Sequence, residues 1–503
     1  MKKITRLLAI LLIFAMCIVS MASCKNKKKD PNGEGTPSQD LNLNGEAAEL
    51  LPEEKQYDRE FVILASENGG VDSFFYYVNE ENKYVGEGIS DSLYSRQLVM
   101  ADLYGVDLQI RVEPEFVDTV SIAYLSGEYI CDVTLVPAVN TFSLALDGTY
   151  ANLLDLEGIN LEASYWDQRI QEEYRINDML FTLEGDYTIA DEFRTLVVLY
   201  NQTVYKNYNL ADAYGTPYGM VENYTWTYDT MLEMVAGISD DLNNDEKMDQ
   251  EDRWGMVSEL TAVYYFFLGA GLKTMVNDGG QLQLTITDST EYARIYDVIE
   301  NTMKLSFHGD VLMVNRPGAV TGGGVWDLAS KIFENDRALY RTTTLSAVNR
   351  LRSMASDYGI LPIPAYYENQ TEYYCWVSGN THMPLAIYRY SDLATTAEIT
   401  ERLCYHSRYG SDNTLYSAFF DNMAYNRICK TPDDIKMLEL VIESKTFDVD
   451  QSTKITGVEG QLFSLARDEN YTSLSSTLDS LKSISEAKLT AYLMYMTAKN
   501  TFE

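Results

Sequence analysis

Apolar and polar positions along this 503-residue chain alternate between strand-length and helix-length patterns. Leu7 to Met21 is a continuous apolar run, whereas residues 25–56 show no sustained periodicity. Phe61-Val62-Ile63-Leu64-Ala65 is short and unbroken, as in a strand covered on both faces. Ile89 to Tyr104 carries Leu93, Leu98 and Leu103 near helical spacing and stops at Gly105, a predicted C-cap. Val106 to Val112 alternates and predicts a second strand, and Cys131 to Pro137 predicts a third. The apolar stretch Thr195 to Asn201 repeats the pattern and leads into a helix. Tyr224 to Asp229 precedes Met231, Leu232, Met234 and Val235, with Thr227 as predicted N-cap. Asp357 to Pro364 reads as an extended segment closing a long crossover. Strand and helix in this rhythm predict doubly wound α/β sheets, whose ligands sit at the carboxyl ends of strands. Glu67 and Asn68 after the first strand and Asn140 after the third are therefore candidate binding residues.

The N-terminus fixes a compartment. Lys2, Lys3 and Arg6 precede the apolar run, and Met21-Ala22-Ser23-Cys24 follows it, the arrangement of an export signal. It resembles a bacterial lipoprotein signal, in which small residues precede a cysteine that is lipidated and becomes the new N-terminus. That resemblance implies a signal peptide over 1–23, a lipid on Cys24 and a location on the extracytoplasmic face of the cell membrane. Met21 stands where leucine is commonest. Residues 24–56, rich in Lys, Asn, Gly, Glu, Pro and Ser, read as a flexible tether. No later apolar run is long enough to span a membrane.

Composition narrows the partners. At 46% apolar and 23% charged residues the chain is globular, and its length calls for at least two compact units. A formal charge of −36 repels nucleic acid and anionic lipid surfaces. Cys131, Cys375, Cys404 and Cys429 show no zinc-type spacing, and three histidines leave little for a Cys-His pair. Disulfides and buried free thiols both remain open for these four.

Two features carry candidate chemistry. Asp241-Leu242-Asn243-Asn244-Asp245-Glu246-Lys247-Met248-Asp249-Gln250-Glu251-Asp252 places oxygen side chains at positions 1, 3, 5, 9 and 12, as in EF-hand and dockerin-type calcium loops. Asp241, Asn243, Asp245, Asp249, Asp252 and the Lys247 carbonyl would hold a structural Ca2+. Glu246 occupies the position where glycine normally makes the turn. The second feature is aromatic. The chain has 38 Tyr against 17 Phe, and aromatic faces stack on sugar rings while carboxylates and amides bond the hydroxyls. Trp326 after Gly322-Gly323-Gly324, Trp376, Trp166, Tyr264 and Tyr265 are the candidates.

The order of these pieces resembles the extracellular solute-binding proteins of ABC importers, in the carbohydrate-type class. The resemblance rests on the lipidated tether, the strand into Asn201, the Trp226-Thr227 helix start, and Phe333 to Leu339 leading to Tyr358-Gly359-Ile360-Leu361-Pro362. Trp376-Val377-Ser378 and a helix from Asp392 to His406 complete it. Asn335-Asp336-Arg337-Ala338 departs from the family's Gly-Lys or Gly-Glu pattern. The resemblance implies a type II periplasmic-binding-protein-like fold, two lobes joined by hinge strands. Lobe 1 is expected over 57–195 plus 383–440 and lobe 2 over 196–382 plus 441–503. It further implies a monomeric, non-catalytic binder that delivers a small polar solute, above all a sugar, to an ABC permease. A surface glycoside hydrolase or a calcium-dependent adhesion protein is the alternative.

Overall fold

The computed structural model describes residues 55–66, 87–410, 413–468 and 471–500. The chain divides into a unit of residues 1–49 and a compact unit of residues 50–503, and every described residue belongs to the second. The signal, Cys24, nearly all of the tether, Glu67 and Asn68 lie outside the described residues.

The first sheet grows from the unbroken apolar run. Strand β1 (Arg59–Ser66) buries every residue from Phe61 to Ser66. Helix α1 (Glu87–Tyr104) ends at Gly105, whose φ of 62° is the left-handed turn anticipated from sequence. Next come β2 (Val106–Glu113), α2 (Phe116–Ser126), β3 (Val133–Leu135) and α3 (Ala138–Leu146). Strand β1 pairs in parallel with both β2 and β3. After α4 (Gln168–Tyr174) the chain crosses to a second sheet at β4 (Leu196–Asn201).

Asn201 ends β4 and caps α5 (Gln202–Asn207). Its Oδ1 accepts the Val204 N–H at 2.9 Å, and its Nδ2 donates to Asp336 at 2.7 Å. Thr227 caps α6 (Tyr228–Val235) through the Thr230 N–H, as anticipated. The chain continues through β5 (Trp254–Ser258) and α7 (Ala262–Gly269) to the hairpin β6 (Val276–Asp278) and β7 (Gln281–Gln283). Helix α8 (Ser289–Leu305), β8 (Val311–Met313), α9 (Val325–Glu334), β9 (Ala338–Thr344) and β10 (Tyr358–Leu361) complete this lobe's continuous stretch. The order of the second sheet is β10-β4-β9-β5-β8. Only β4, the strand that arrives from the other lobe, runs antiparallel to its neighbours. The return journey mirrors this. From β11 (Cys375–Trp376) the chain re-enters the first sheet at β12 (Leu385–Ile387), antiparallel to β3, for an order of β12-β3-β1-β2. The two sheets flanked by helices are the two-lobed α/β architecture expected from sequence.

Three segments cross between the lobes and are stitched to one another. Leu183 and Leu385 exchange backbone hydrogen bonds of 2.8 Å each, and Thr195 bridges Val377. Strand β11 pairs in parallel with β13 (Lys445–Thr446). Helix α10 (Leu393–Arg408) packs against α1, inside the stretch assigned to lobe 1. Helix α11 (Pro432–Glu443), which straddles the end of that stretch, packs instead on β10 of the second sheet. Helix α12 (Val449–Thr453), placed by sequence in lobe 2, packs on α3 of the first lobe. Helix α13 (Val458–Arg467) lies against α7, and α14 (Leu474–Asn500) touches both α3 and α8. The C-terminal helices thus belong to both lobes. Cys131, Cys375, Cys404 and Cys429 are buried free thiols, which decides the alternative left open.

Candidate functional site

Strand ends decide where the site sits. A cavity of about 430 Å³ lies at the carboxyl ends of β5, β8 and β9 in the second sheet, where open α/β sheets bind ligands. Ser258 and Glu259 come from the end of β5, Val314 from β8, and Thr342 to Thr344 from β9. The crossing segments close it through Arg194, Trp376 and the loop carrying Ser378, Asn380 and Thr381. That loop rests on the first lobe, because its Gly379 carbonyl accepts the Val139 N–H at 3.1 Å at the start of α3. A larger cavity of about 590 Å³ is lined by α4, residues 371–374, α11 and β13. No strand end of either main sheet reaches it, so the smaller cavity is the better site.

The chemistry of the smaller cavity is mixed aromatic and polar. Trp326, in the first turn of α9, is 50% exposed and offers an open ring face. Trp376 and Tyr265 also line the cavity and are buried, with ring centroids 5.4 Å apart. The half-buried Glu259 makes no side-chain hydrogen bond among the described residues, and burial raises its carboxyl to about 7 against the opposing charge of Arg341. Arg341 donates to Ser330 Oγ at 3.0 Å, and Ser330 donates to the Trp326 carbonyl at 3.1 Å. From α13, Glu459 accepts the Asn380 amide at 3.3 Å, and burial raises its pKa as well. Aromatic faces, two carboxylates, two guanidinium groups and a ring of hydroxyls can together hold a ring-shaped polyhydroxylated molecule.

The structure gathers Trp326, Trp376 and Tyr265 in this cavity and separates the other sequence candidates from it. Tyr264 is turned into the core, where its hydroxyl donates to Asp448 and its ring packs edge-on against Trp376 at 5.1 Å. Trp166 is buried, and its Nε1 donates to Glu401 at 3.2 Å. It lines a different cavity of about 290 Å³ beside Lys445. Asn140 is half-buried in the first turn of α3 and lines none of the three cavities. Glu259, Arg341 and Glu459 were not anticipated. Glu259 directly follows the apolar strand β5, so the strand-end rule applied to Glu67 and Asn140 would also have found it.

The acidic loop at 241–252 folds on its own backbone. Asp241 accepts the Asn244 and Glu246 N–H groups at 2.7 and 2.9 Å, and Asp245 accepts that of Lys247 at 2.9 Å. The fully buried Asp252 accepts the Leu242 and Asp249 N–H groups at 3.0 and 2.9 Å. Glu246 takes a φ of 64°, the left-handed turn that glycine would supply without strain. Among the described residues, no group of three or more His, Cys, Asp or Glu is arranged to hold a metal ion.

The fold is shared with solved structures. A cyclo/maltodextrin-binding protein complexed with maltotetraose superposes with a TM-score of 0.53 at 10% identity, over 86% of this chain and 98% of that one. The maltose-bound MalE3 of T. maritima gives 0.51 at 13% identity, over 84% and 99%. The maltose-binding periplasmic protein MalE from Listeria monocytogenes, in complex with maltose, gives 0.52 at 14% identity, over 87% and 98%. No protein-family model matches the chain, and no curated protein matches it. The fold is therefore the two-lobed α/β periplasmic-binding-protein-like fold.

Proposed function

We propose that this chain is an extracytoplasmic solute-binding protein. It captures a small polar solute, a sugar or oligosaccharide, in the cavity at the crossing between the lobes and delivers it to an ABC importer. The observation that carries this reading is the cavity itself, lined at the strand ends by Trp326, Tyr265, Trp376, Glu259 and Arg341. A solute bridging both walls favours the closed arrangement of the lobes by its differential affinity for it. The closed form then docks on a membrane permease. The similarity to proteins solved with maltose and maltotetraose supports a saccharide.

The export signal and Cys24 support a lipid anchor on the outer face of the cell membrane. Among the described residues, no helix is long and apolar enough to cross a membrane. The protein works as a monomer and performs no catalysis. The loop at 241–252 holds a structural Ca2+, a reading supported by its oxygen spacing.

A thermal-shift screen of the mature chain against neutral and acidic oligosaccharides tests the central reading. A bound saccharide at a hundredfold excess over Kd stabilises by about 2.7 kcal/mol. Recovery of that saccharide intact supports a binder. Cleavage products would establish a hydrolase, and no stabilisation by any saccharide would remove the sugar reading.

A further inference from the structure

Four tryptophans are buried, and three of them satisfy their indole N–H. Trp166 donates to Glu401 at 3.2 Å, Trp226 to the Pro362 carbonyl at 2.9 Å and Trp254 to the Asp249 carbonyl at 2.7 Å. The fourth is Trp376, 1% exposed, whose Nε1 is buried with no hydrogen-bond partner among the described residues. It is also the one of the four that lines the cavity at the strand ends.

Its neighbour offers a second donor at the same wall. Tyr265 is 3% exposed and lines the same cavity, with its ring tilted 44° to that of Trp376. Its hydroxyl makes no hydrogen bond among the described residues, whereas adjacent Tyr264, equally buried, donates to Asp448. Buried donors are nearly always paired in folded proteins, and an unpaired one costs stability. A buried indole N–H without a partner, beside a tyrosine hydroxyl at the same cavity wall, marks a place where an outside acceptor completes the bonding.

We propose that Trp376 and Tyr265 are paired hydrogen-bond donors that select the solute by an oxygen acceptor, rather than platforms on which it stacks. The acceptor is a hydroxyl or ether oxygen of a neutral saccharide, or a carboxylate of an acidic one. Trp326, half exposed, is left to supply the stacking face. This deepens the assignment of the cavity as the solute site and rests on it.

The test uses the mature chain with maltose, maltotetraose and oligogalacturonate as probes. Tyr265→Phe removes the hydroxyl and keeps the ring, whereas Trp376→Phe removes the indole N–H together with part of the ring system. Each is expected to weaken binding of the stabilising probe about tenfold to hundredfold. The ligand-free melting temperature is preserved in Tyr265→Phe and falls in Trp376→Phe, whose smaller ring leaves a gap in the core. Equal affinity in wild type and both variants overturns the donor role and leaves the solute-binding reading standing. No binding of any probe to wild type overturns both. Should Trp376→Phe fail to fold, the Trp376 indole N–H resonance of the wild type decides. A downfield move on adding the probe supports a new hydrogen bond, and a fixed position refutes it. Preference for oligogalacturonate over maltotetraose identifies a carboxylate acceptor, and the reverse identifies a hydroxyl or ether oxygen.

Discussion

Lys445 and Asp191 form an ion pair buried where the chain crosses between lobes, with side chains 2% and 4% exposed. Glu192 at 3.0 Å and Asp167 at 3.2 Å complete the ring around the ammonium, and Arg169 holds Asp167 from the other side at 2.6 Å. Burial works against the charge on Lys445, but Asp191, Glu192 and Asp167 more than offset it and raise its pKa. Asp167 feels the same burial, and Lys445 and Arg169 still hold its carboxyl below the usual range.

Replacing Lys445 by methionine strands these carboxylates in a dry environment. Removing one partner of a buried pair costs about 3–5 kcal/mol. Urea denaturation of Lys445→Met is expected to show that loss of stability as a lower midpoint with an unchanged slope. The depressed carboxyls of Asp167 and Asp191 add a pH signature. Their stabilisation is complete above the unfolded carboxylate pKa of about 3.9 and is lost as pH falls below it. A loss under about 1 kcal/mol in the variant, the size of a surface pair, would mean that water reaches the cluster.

Glu259 predicts the opposite pH dependence. Its folded pKa of about 7 lies above the ordinary glutamate value of 4.5, so the folded state holds this proton more tightly. Its contribution to stability is complete below pH 4.5 and is lost as pH rises to about 7. The stability of Glu259→Gln relative to wild type should therefore rise across that window. Melting curves of both proteins from pH 4 to 8 measure it, and parallel curves would deny Glu259 its buried setting.

Trp326 projects from α9 with half its surface open, so truncation leaves no cavity in the core. Trp326→Ala is expected to keep the melting temperature and to cost about 0.5–1.5 kcal/mol of saccharide affinity through lost ring contact. Calorimetry with the stabilising saccharide reads it, and unchanged affinity would place Trp326 outside the site.

The acidic loop yields a metal-dependent expectation. Calcium at a hundredfold excess over Kd should raise stability by about 2.7 kcal/mol, and chelator should reverse it. Asp245→Ala should abolish this response. A wild-type melting temperature indifferent to both calcium and chelator would leave the loop as a backbone-bonded turn.

Local signals carried much of the architecture. Phe61 to Ala65, Asn201, Thr227 and Gly105 each act within a few residues of themselves, so their roles could be read directly. Lobe membership of α11 and α12 could not, because it is decided by packing on β10 and α3, far away in the chain. The same limit separates the aromatic candidates. Tyr264 and Tyr265 are adjacent on one helix, and only the position of Asp448 behind α7 draws the first into the core while the second reaches the cavity. Arg341 escaped notice because the second half of β9 reads as a polar run, Arg341-Thr342-Thr343-Thr344, that becomes a cavity wall only beside β5.

The seam between β3 and β12 closes late in folding. Thr134 bonds to Ala386 across 252 positions of chain, a closure that must await the late segment. Until residues 385–387 are available, β3 presents an edge open to pairing with another strand. A chain that stops short of residue 385 would keep that edge open to pairing with another strand.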